Sequence, residues 1–293
     1  MKSREELIEV GKKVGADVLI ATDPDADRLG CAVRQPDGEY QLLTGNQIAS
    51  IMLAYILEAH KQAGTLPKNA AAVKSIVSTN FAAKIAENYG VEMINVLTGF
   101  KWIADQIHQY ETGKADHTFM FGFEESYGYL IKPFVRDKDA IQSVTLLAEV
   151  AAYYRSRNMT LYDGLQELFK KYGYFREKTI ANTYAGVDGP AKIKALMKKF
   201  REEAPTHFAG HQVVVTEDFA NGTKTTADGE VSELGIPESN VLRYILDDDT
   251  WIAIRPSGTE PKLKFYIGTS ADTLDKANEK LADFEKALQE FAE

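Results

Sequence analysis

The sequence predicts an α/β fold: an α/β segment with a candidate metal loop and a complete α/β domain with a mixed sheet precede a C-terminal α+β domain. Three observations support this prediction. An apolar strand at 17–21 runs directly into an acidic loop. Between 72 and 121, short β-branched strands alternate with helical patterns, which is typical of parallel strands joined by crossover helices. From Gly173 onward, strands outnumber helices, as in a small α+β domain.

The first segment contains two helical patterns and a hairpin. Residues 4–14 are expected to be helical, and QPDG at 35–38 predicts a tight turn between a strand near 30–33 and the strand EYQLL. A helix is expected from Asn46, because apolar residues recur there at the spacing of one helix face. These apolar residues are Ile48, Ile51, Met52, Tyr55 and Ile56. The stretch from 64 to 69, with glycine and proline, indicates a linker.

The later elements follow from the same patterns. In the second part we expect strands at 72–77, 91–96 and 117–121, and helices at 80–89, 100–109, 139–157 and 160–172. In the third part we expect strands at 174–184, 212–216, 240–246, 250–255 and 262–268, a Lys-rich helix at 189–203 and a terminal helix. The terminal helix has an apolar stripe made of Leu274, Ala277, Leu281, Phe284 and Leu288. The predicted domains are 1–65, 66–173 and 174–293.

Composition narrows the class of protein. The chain has 293 residues, of which 44% are hydrophobic and 26% charged, so it can bury a sizeable core in about two or three domains. Its net charge of -9, without a run of Lys or Arg, argues against a surface for nucleic acid or for an anionic membrane. No segment reaches the roughly 18 apolar residues of a membrane span. The single cysteine, Cys31, lies in an apolar run, so we expect a buried thiol and a cytoplasmic protein.

The first candidate site is the loop TDPDADR, which places Asp23, Asp25 and Asp27 at alternate positions directly after a strand. Like charges this close repel one another strongly unless a cation lies between them. An EF-hand is excluded, because its glycine and glutamate positions hold Arg28 and Arg34. Mg²⁺ suits the loop, since it is usually shared between carboxylates and a phosphate, and a solvated acidic turn is the alternative. The five histidines lack metal-ligand spacing and are assigned to no metal.

The second candidate is GFEESYGYL at 122–130, which follows an apolar run. Its paired glutamates and serine, bracketed by glycines, offer acceptors that vicinal sugar hydroxyls could chelate. Taken alone, this pattern is more typical of a solvated surface turn.

The third candidate is IRPSGTEPKLKFYI, which lies between two apolar strands. It combines a guanidinium fork, two hydroxyls, backbone N–H groups exposed by a glycine, and an ammonium group. The residues concerned are Arg255, Ser257, Gly258, Thr259 and Lys262. This inventory favours a phosphate site over a plain Pro/Gly turn, because a turn needs no such set of cations and hydroxyls.

Two smaller clusters precede helices. In VRDKDA, Lys138 is either a proton donor or phosphate contact, or part of a charged turn in which Asp139 caps the helix. In Thr98-Gly99-Phe100-Lys101, the lysine and the free N–H groups at a helix start could bind an anion. The neighbouring Trp102 is expected to be part of the core.

Taken in order, TDPDADR, GFEESYG and RPSGTEPK resemble three motifs of the α-D-phosphohexomutase superfamily, specifically its phosphoglucomutase branch. The resemblance extends over about residues 17–268. It implies a magnesium loop on the second domain, a sugar-binding loop on the third and a phosphate-binding loop on the fourth. By this resemblance the metal ligands are Asp23, Asp25 and Asp27, the sugar ligands are Glu124 and Ser126, and the phosphate ligands are Arg255, Ser257, Gly258, Thr259 and Lys262. It also places Gly99 and Lys101 at the active cleft, with Arg28 and Lys138 as catalytic residues.

One departure from the family pattern is large. The family's reaction depends on a phosphorylated serine in a Ser-His-Asn-Pro-like loop on its first domain, and no serine here is followed by His-Asn-Pro. The resemblance therefore implies the C-terminal half of a phosphoglucomutase, with residues 1–65 as the C-terminal part of the second domain. Its expected partners are a phosphosugar and the missing N-terminal domains. The complete enzyme would interconvert glucose 1-phosphate and glucose 6-phosphate through a 1,6-bisphosphate, whereas this half alone should be inactive.

Three alternatives stay open at this point. A phosphomannomutase or phosphopentomutase of the same superfamily would share the motifs. A haloacid-dehalogenase-like phosphatase would use Asp23 as a nucleophile and 247–249 as a later acidic motif, but RPSGTEPK would then have no role. A non-catalytic phosphosugar-binding module would keep the binding loops alone.

Overall fold

The computed structural model describes residues 2–258 and 260–292. The chain folds into two compact units, residues 1–172 and residues 173–293. None of the helices in the described residues combines the length and the apolar character that crossing a bilayer requires. The predicted division into three domains stays a prediction.

The first unit contains helices and strands in alternation. Its helices are α1 (Lys2–Val14), α2 (Gly45–Gln62), α3 (Asn80–Asn88), α4 (Phe100–Glu111), α5 (Ala140–Ser156) and α6 (Leu161–Tyr172). Its strands are β1 (Val18–Thr22), β2 (Leu29–Arg34), β3 (Tyr40–Leu43), β4 (Ala70–Ser75), β5 (Glu92–Val96), β6 (Thr118–Glu124) and β7 (Gly128–Leu130).

These strands form two sheets. One is antiparallel in the order β1-β2-β3, and its second hairpin closes at the predicted QPDG turn. The other has the order β5-β4-β6-β7, in which β4 pairs in parallel with β5 and β6, and β7 runs antiparallel to β6. This confirms the mixed sheet. Strand β4 is buried along its whole length, because helices cover such a sheet on both faces.

Side chains at the helix starts fix where α2 and α5 begin. Thr44 and Gln47 form a capping box on α2, each side chain accepting the other residue's backbone N–H. Asp139 caps α5 by accepting the N–H groups of Ile141 and Gln142. Of the two interpretations left open for VRDKDA, the helix cap at Asp139 is present and places Lys138 just before the helix, while a role for Lys138 stays a prediction.

The second unit is built on an antiparallel sheet with two flanking helices in the described residues. Its strands are β8 (Tyr174–Thr183), β9 (His207–Phe208), β10 (His211–Asp218), β11 (Thr223–Thr226), β12 (Val231–Glu233), β13 (Leu242–Leu246), β14 (Trp251–Pro256) and β15 (Lys262–Ala271). Its helices are α7 (Gly189–Glu202) and α8 (Leu274–Ala292). The strand order is β12-β11-β10-β13-β14-β15-β8, with β9 paired to β10. Phe200 of α7 and Phe284 of α8 pack in its core, and of the predicted apolar stripe of the terminal helix Ala277, Phe284 and Leu288 are buried and Leu274 and Leu281 half-buried.

The predicted elements agree with the structure to within a few residues. One difference is functional: β6 continues to Glu124 rather than ending near 121, because it pairs with β7 in a hairpin. The sequence analysis also missed β7, β9, β11 and β12, which are short or mostly polar and therefore lack a clear hydrophobic period.

Candidate functional site

In the first unit, the carboxyl ends of β5, β4 and β6 lie at one edge of the sheet, since the three strands are parallel. Ser75 ends β4, Gly99 follows β5, and Glu124 ends β6. Ligands of such sheets bind at this edge. The same edge therefore brings together the TGFK stretch and the GFEESYG turn.

The acidic loop after β1 is a tight turn held by its own carboxylate. Asp23 Oδ1 accepts the backbone N–H groups of Asp27 and Arg28 at 3.2 and 3.1 Å. These bonds, led by that from Arg28, lower the pKa of Asp23. Ala26 takes a φ of 55°, and Asp25 is exposed to solvent. The turn thus keeps Asp23 ionised and directs Asp25 outward.

Lys138 supplies the positive charge beside this loop. Its Nζ lies 2.8 Å from Asp27 Oδ2 and 3.1 Å from Asp137 Oδ1. Burial lowers the pKa of Lys138, but hydrogen bonds to Asp27 and Asp137 outweigh it, so that the pKa is raised. The other oxygen of Asp27, Oδ1, is buried without a hydrogen-bond partner. A buried, orphaned carboxylate oxygen fits a cation ligand, because oxygen ligands are what Mg²⁺ prefers.

The three predicted metal ligands do not converge in the structure. Among the described residues, the His, Cys, Asp and Glu ligand atoms found within 4.8 Å of one another belong to His211, Asp247 and Asp248. Asp23, Asp25 and Asp27 do not form such a three-residue group, although the side chain of Asp27 lies close enough to Asp23 to contribute to its lowered pKa.

The turn of residues 124–128 joins β6 to β7. Glu124 is 9% exposed, and its Oε1 accepts the N–H of Gly99 at 2.7 Å. Burial raises the pKa of Glu124, and the Gly99 hydrogen bond opposes this shift. Ser126 is half-buried, and Tyr127 takes a φ of 69°. The turn is thus anchored at the start of α4 by one of the two predicted sugar ligands.

The acidic loop and this turn are in direct contact. The N–H of Leu29 donates to the carbonyl of Tyr127 at 3.1 Å, and Arg28 forms a β-bridge with Gly128. A Cβ on Gly128 would lie 2.8 Å from Cδ of Lys138, so the close approach of that lysine requires a glycine. The predicted catalytic residues and the predicted sugar turn are therefore neighbours.

A cavity of about 630 Å³ is lined by both of these segments together with α1 and the sheet of β1, β2 and β3. Asp23, Arg28 and Ser126 contribute polar groups to its wall, and Leu7 and Leu42 contribute apolar surface. A few polar groups on an apolar pocket are typical of small-molecule sites. The structure therefore assembles a predicted metal ligand, a predicted catalytic residue and a predicted sugar ligand around one space.

The TGFK stretch contributes a backbone N–H group to the candidate site, whereas its lysine points to solvent. Gly99 takes a φ of 112° at the start of α4, and its N–H is the group that binds Glu124. Lys101 is exposed, with Nζ 4.9 Å from the centroid of the Trp102 ring. Trp102 packs against the core from a half-buried position, close to the expectation.

The predicted phosphate loop of the second unit connects β14 to β15. Arg255 Nη1 donates to Tyr266 Oη at 3.3 Å, and the N–H of Ser257 donates to the carbonyl of Lys262 at 2.8 Å. Lys262 Nζ lies 2.8 Å from Glu260 Oε1, an intraloop pairing that the sequence analysis missed. Thr259 lies outside the described residues. Ser257 and Gly258 border a cavity of about 1010 Å³ in this unit, which α7 lines with Lys194, Lys198 and Arg201.

The cluster of His211, Asp247 and Asp248 is an ion-pair network. His211 Nδ1 lies 2.9 Å from Asp247 Oδ1, and Lys280 Nζ lies 2.7 Å from Asp248 Oδ2. The Lys280 ammonium supplies positive charge beside Asp248, and a ring nitrogen of His211 forms a hydrogen bond with Asp247. Asp247 and Asp248, which would be the later acidic motif of a phosphatase, are thus engaged within this network.

Sequence reasoning missed Ser75, Ser78 and Gly45, and it noted Glu125 only as one of the paired glutamates. Glu125 accepts hydrogen bonds from both serine hydroxyls, and Gly45 closely approaches the backbone of the turn. The polar residues of KSIVSTN, which spans the end of a buried strand, were the available signal, since polar residues at the carboxyl ends of parallel strands mark a binding edge.

Comparison with known proteins identifies two matching segments. Residues 44–172 match the α/β/α domain III of phosphoglucomutase/phosphomannomutase, and residues 189–287 match the C-terminal domain of that family. A phosphoglucomutase of Staphylococcus epidermidis is 42% identical over 283 residues, 96% of this chain and 50% of the relative. A phosphoglucomutase of Staphylococcus aureus strain USA300 is 39% identical over 279 residues, 94% of this chain and 49% of the relative. The chain spans about half the length of the curated relatives it matches.

Solved structures share the fold at low sequence identity. The open form of the Paramecium phosphoglucomutase pp63/parafusin has a TM-score of 0.66 at 20% identity, over 98% of this chain and 48% of that one. Aspergillus fumigatus N-acetylphosphoglucosamine mutase, in complex with GlcNAc-6P and magnesium, has a TM-score of 0.52 at 14% identity, over 98% and 53%. These similarities concern the fold.

Proposed function

Because the chain belongs to the phosphoglucomutase/phosphomannomutase family, we propose that it is the part of a phosphoglucomutase that binds the metal, the sugar and the phosphate that is not transferred. The complete enzyme would interconvert glucose 1-phosphate and glucose 6-phosphate through a phosphoserine and a 1,6-bisphosphate. The chain has no Ser-His-Asn-Pro sequence, so this part alone is expected to be inactive.

One observation carries this proposal: the acidic loop and the turn of residues 124–128 meet, with Lys138 between them. Lys138 pairs with Asp27 and packs on Gly128, while Arg28 forms a bridge to the same glycine. A solvated acidic turn or a solvated Glu pair would need no such contact. The arrangement places carboxylates, cations and a hydroxyl where a phosphorylated sugar could be held.

Asp23, Asp25 and Asp27 are the proposed ligands of Mg²⁺, and the unpaired Oδ1 of Asp27 supports this assignment. Bound there, Mg²⁺ would neutralise negative charge on a phosphoryl group during its transfer. Metal binding would also relieve the repulsion among the three carboxylates.

The protein's own residues have distinct proposed roles in the first unit. Glu124, held by the N–H of Gly99, would accept a hydrogen bond from a sugar hydroxyl, and Ser126 would do the same from the cavity wall. Arg28, exposed beside Asp23, would bind a phosphoryl oxygen. Lys138, whose raised pKa keeps it protonated, would stabilise negative charge next to Asp27 as a phosphate contact rather than act as a proton donor.

The β14–β15 loop of the second unit would bind the phosphate that is not transferred. Arg255 offers a guanidinium fork, Ser257 a hydroxyl, Gly258 an open backbone N–H and Lys262 an ammonium group. Thr259 is proposed as a further ligand from the sequence pattern alone. An anion would compete with Glu260 for Lys262, so phosphate binding should break their 2.8 Å pair.

Glucose is the proposed sugar because relatives about 40% identical carry the name phosphoglucomutase, while the family also includes phosphomannomutases. A cytoplasmic location, with the N-terminal domains as partners, is proposed on the same grounds. A phosphatase is disfavoured, since Asp248 is paired with Lys280.

Complementation tests the proposal. The chain is co-expressed with the N-terminal half of the Staphylococcus epidermidis relative, and conversion of glucose 1-phosphate is measured with and without Mg²⁺. Activity should require both halves and Mg²⁺. It should fall at least about a hundredfold in Asp27→Asn. The control is Asp283→Asn, on the exposed face of α8, which should leave activity unchanged. Turnover by the 293-residue chain alone, or hydrolysis of a simple phosphate ester lost in Asp23→Asn, would refute it.

A further inference from the structure

We propose that Glu125 is a positioning residue, which holds the turn of residues 124–128 through the buried hydroxyls of Ser75 and Ser78. The inference rests on the proposed function, because it assumes that this turn binds the sugar. It assigns a role to the second glutamate of the EES motif and to two serines outside the motif.

Both serines donate to the same carboxylate oxygen. Ser75 Oγ lies 3.0 Å and Ser78 Oγ 3.2 Å from Glu125 Oε2, and the two hydroxyls are 2.8 Å apart. Each serine is 0% exposed. Hydroxyls buried from water must find partners within the protein, and bonds to an ionised carboxylate are the stronger kind. Two hydroxyls 2.8 Å apart can satisfy only one of their two O–H donors on each other, so the Glu125 carboxylate accepts the donor that the core would otherwise leave unpaired.

The serines themselves are rigidly placed. Ser75 is the last residue of β4, which is buried throughout and paired in parallel on both sides. The carbonyl of Ser78 accepts the Nζ of Lys74 at 3.1 Å, and that lysine is 1% exposed. Ser78 therefore sits between the centre of the sheet and the start of α3 at Asn80. A hydrogen bond from this rigid position therefore fixes the position of the turn relative to the sheet.

The turn needs such support. Tyr127 has a φ of 69°, a conformation that is strained for a residue with a side chain. Gly45 also approaches the turn so closely that a Cβ there would lie 2.1 Å from the carbonyl oxygen of Glu125. Glu124 and Glu125 fix the turn at two points, one through Gly99 and the other through the two serines. Ser126, between these anchors and Tyr127, is thereby held at the cavity wall.

The test compares two ligands on the 293-residue chain. The affinities for glucose 6-phosphate and for inorganic phosphate are measured by titration calorimetry, with the amide resonance of Tyr127 followed by NMR. In Ser75→Ala/Ser78→Ala, the affinity for glucose 6-phosphate should fall about tenfold, while that for inorganic phosphate stays the same. The matched control is Ser50→Ala, since Ser50 is equally buried but donates to the carbonyl of Asn46 in its own helix.

Two further variants separate positioning from direct contact. Glu125→Gln keeps an acceptor oxygen for the serines and should stay within about threefold of the wild type, whereas Glu125→Ala should lose about tenfold. A loss in Glu125→Gln as large as in Glu125→Ala would show that the charge acts on the ligand itself and would overturn the positioning role. Thermal unfolding of every variant checks that it folds. If the double serine variant does not fold, the comparison of Glu125→Gln with Glu125→Ala still tests the positioning role.

The outcomes distinguish the two proposals. Wild-type protein that binds glucose 6-phosphate no better than phosphate would refute sugar binding by the turn, and this inference with it. If the wild type prefers glucose 6-phosphate to inorganic phosphate and Ser75→Ala/Ser78→Ala keeps that preference, the positioning role of Glu125 is refuted while the proposed function is not.

Discussion

Lys138→Met tests the charge balance of the acidic loop. The substitution keeps an apolar stem but removes the ammonium that lies 2.8 Å from Asp27, leaving a carboxylate whose other oxygen is already unpaired. The side chains of Lys138 and Asp27 are 14% and 27% exposed. Breaking a fully buried pair costs about 3–5 kcal/mol and an exposed pair at most about 1 kcal/mol, so we expect a loss of about 2 kcal/mol.

The assay is thermal unfolding of the whole chain with and without Mg²⁺. A loss of about 2 kcal/mol lowers the Tm of a unit of this size by about 4–8 °C in the absence of metal. Removing the ammonium also removes a competitor for Asp27, so saturating Mg²⁺ should raise the Tm of Lys138→Met more than that of the wild type. The control is Lys12→Met, which breaks an exposed pair with Glu39 and should cost less than about 1 kcal/mol.

Two results would refute this reasoning. Equal destabilisation by Lys138→Met and Lys12→Met would show that the Asp27 pair contributes nothing beyond a surface contact. An Mg²⁺-induced rise in Tm no larger in Lys138→Met than in the wild type would show that Lys138 and the metal do not compete for the same carboxylate.

Three further predictions follow from close packing, burial and ion pairing. Gly45→Ala should destabilise the protein by about 2 kcal/mol in urea unfolding because its Cβ would meet backbone, whereas Gly30→Ala, with nothing within 4 Å, should change stability by less than about 0.5 kcal/mol. Burial raises the pKa of Cys31 to about 12, so iodoacetamide should modify it only after unfolding, as read by mass spectrometry. Burial raises the pKa of Asp248, but the Lys280 and Thr250 hydrogen bonds outweigh it and lower the pKa below the ordinary 3.8. The stability from Asp248 is therefore present above that value and lost as the pH falls through the lower folded-state pKa, and Asp248→Asn should flatten this acid limb in unfolding followed by circular dichroism.

The fold and the location of the site could be predicted where the signal is local. Alternating strands and helices gave the mixed sheet, and three aspartates at alternate positions after β1 marked the acidic loop. A hairpin turn at QPDG and a helix cap at Asp139 follow from residues within four positions of one another. Each of these patterns depends on backbone geometry that neighbouring residues determine.

The contacts that shape the site could not be predicted, because they join residues that are distant in the sequence. Nothing local indicates that Lys138 pairs with Asp27, or that Ser75 and Ser78 bind Glu125. In the sequence, the segment after β4 is typical of any strand end. Only the parallel pairing of β4 with β6 places it beside the turn. Such pairings depend on register, which one sequence does not specify.

The turn of residues 124–128 is supported by serines at and after the end of β4, and this has a consequence for how substrate preference would diverge among relatives. A replacement in the segment after β4 can shift the turn while every letter of the motif stays the same. Under the proposed sugar-binding role of this turn, two relatives with identical motifs would then differ in the sugar they accept. Comparisons of specificity in this fold should therefore include all residues at the carboxyl end of the sheet, since residues outside the motif also hold the turn in place.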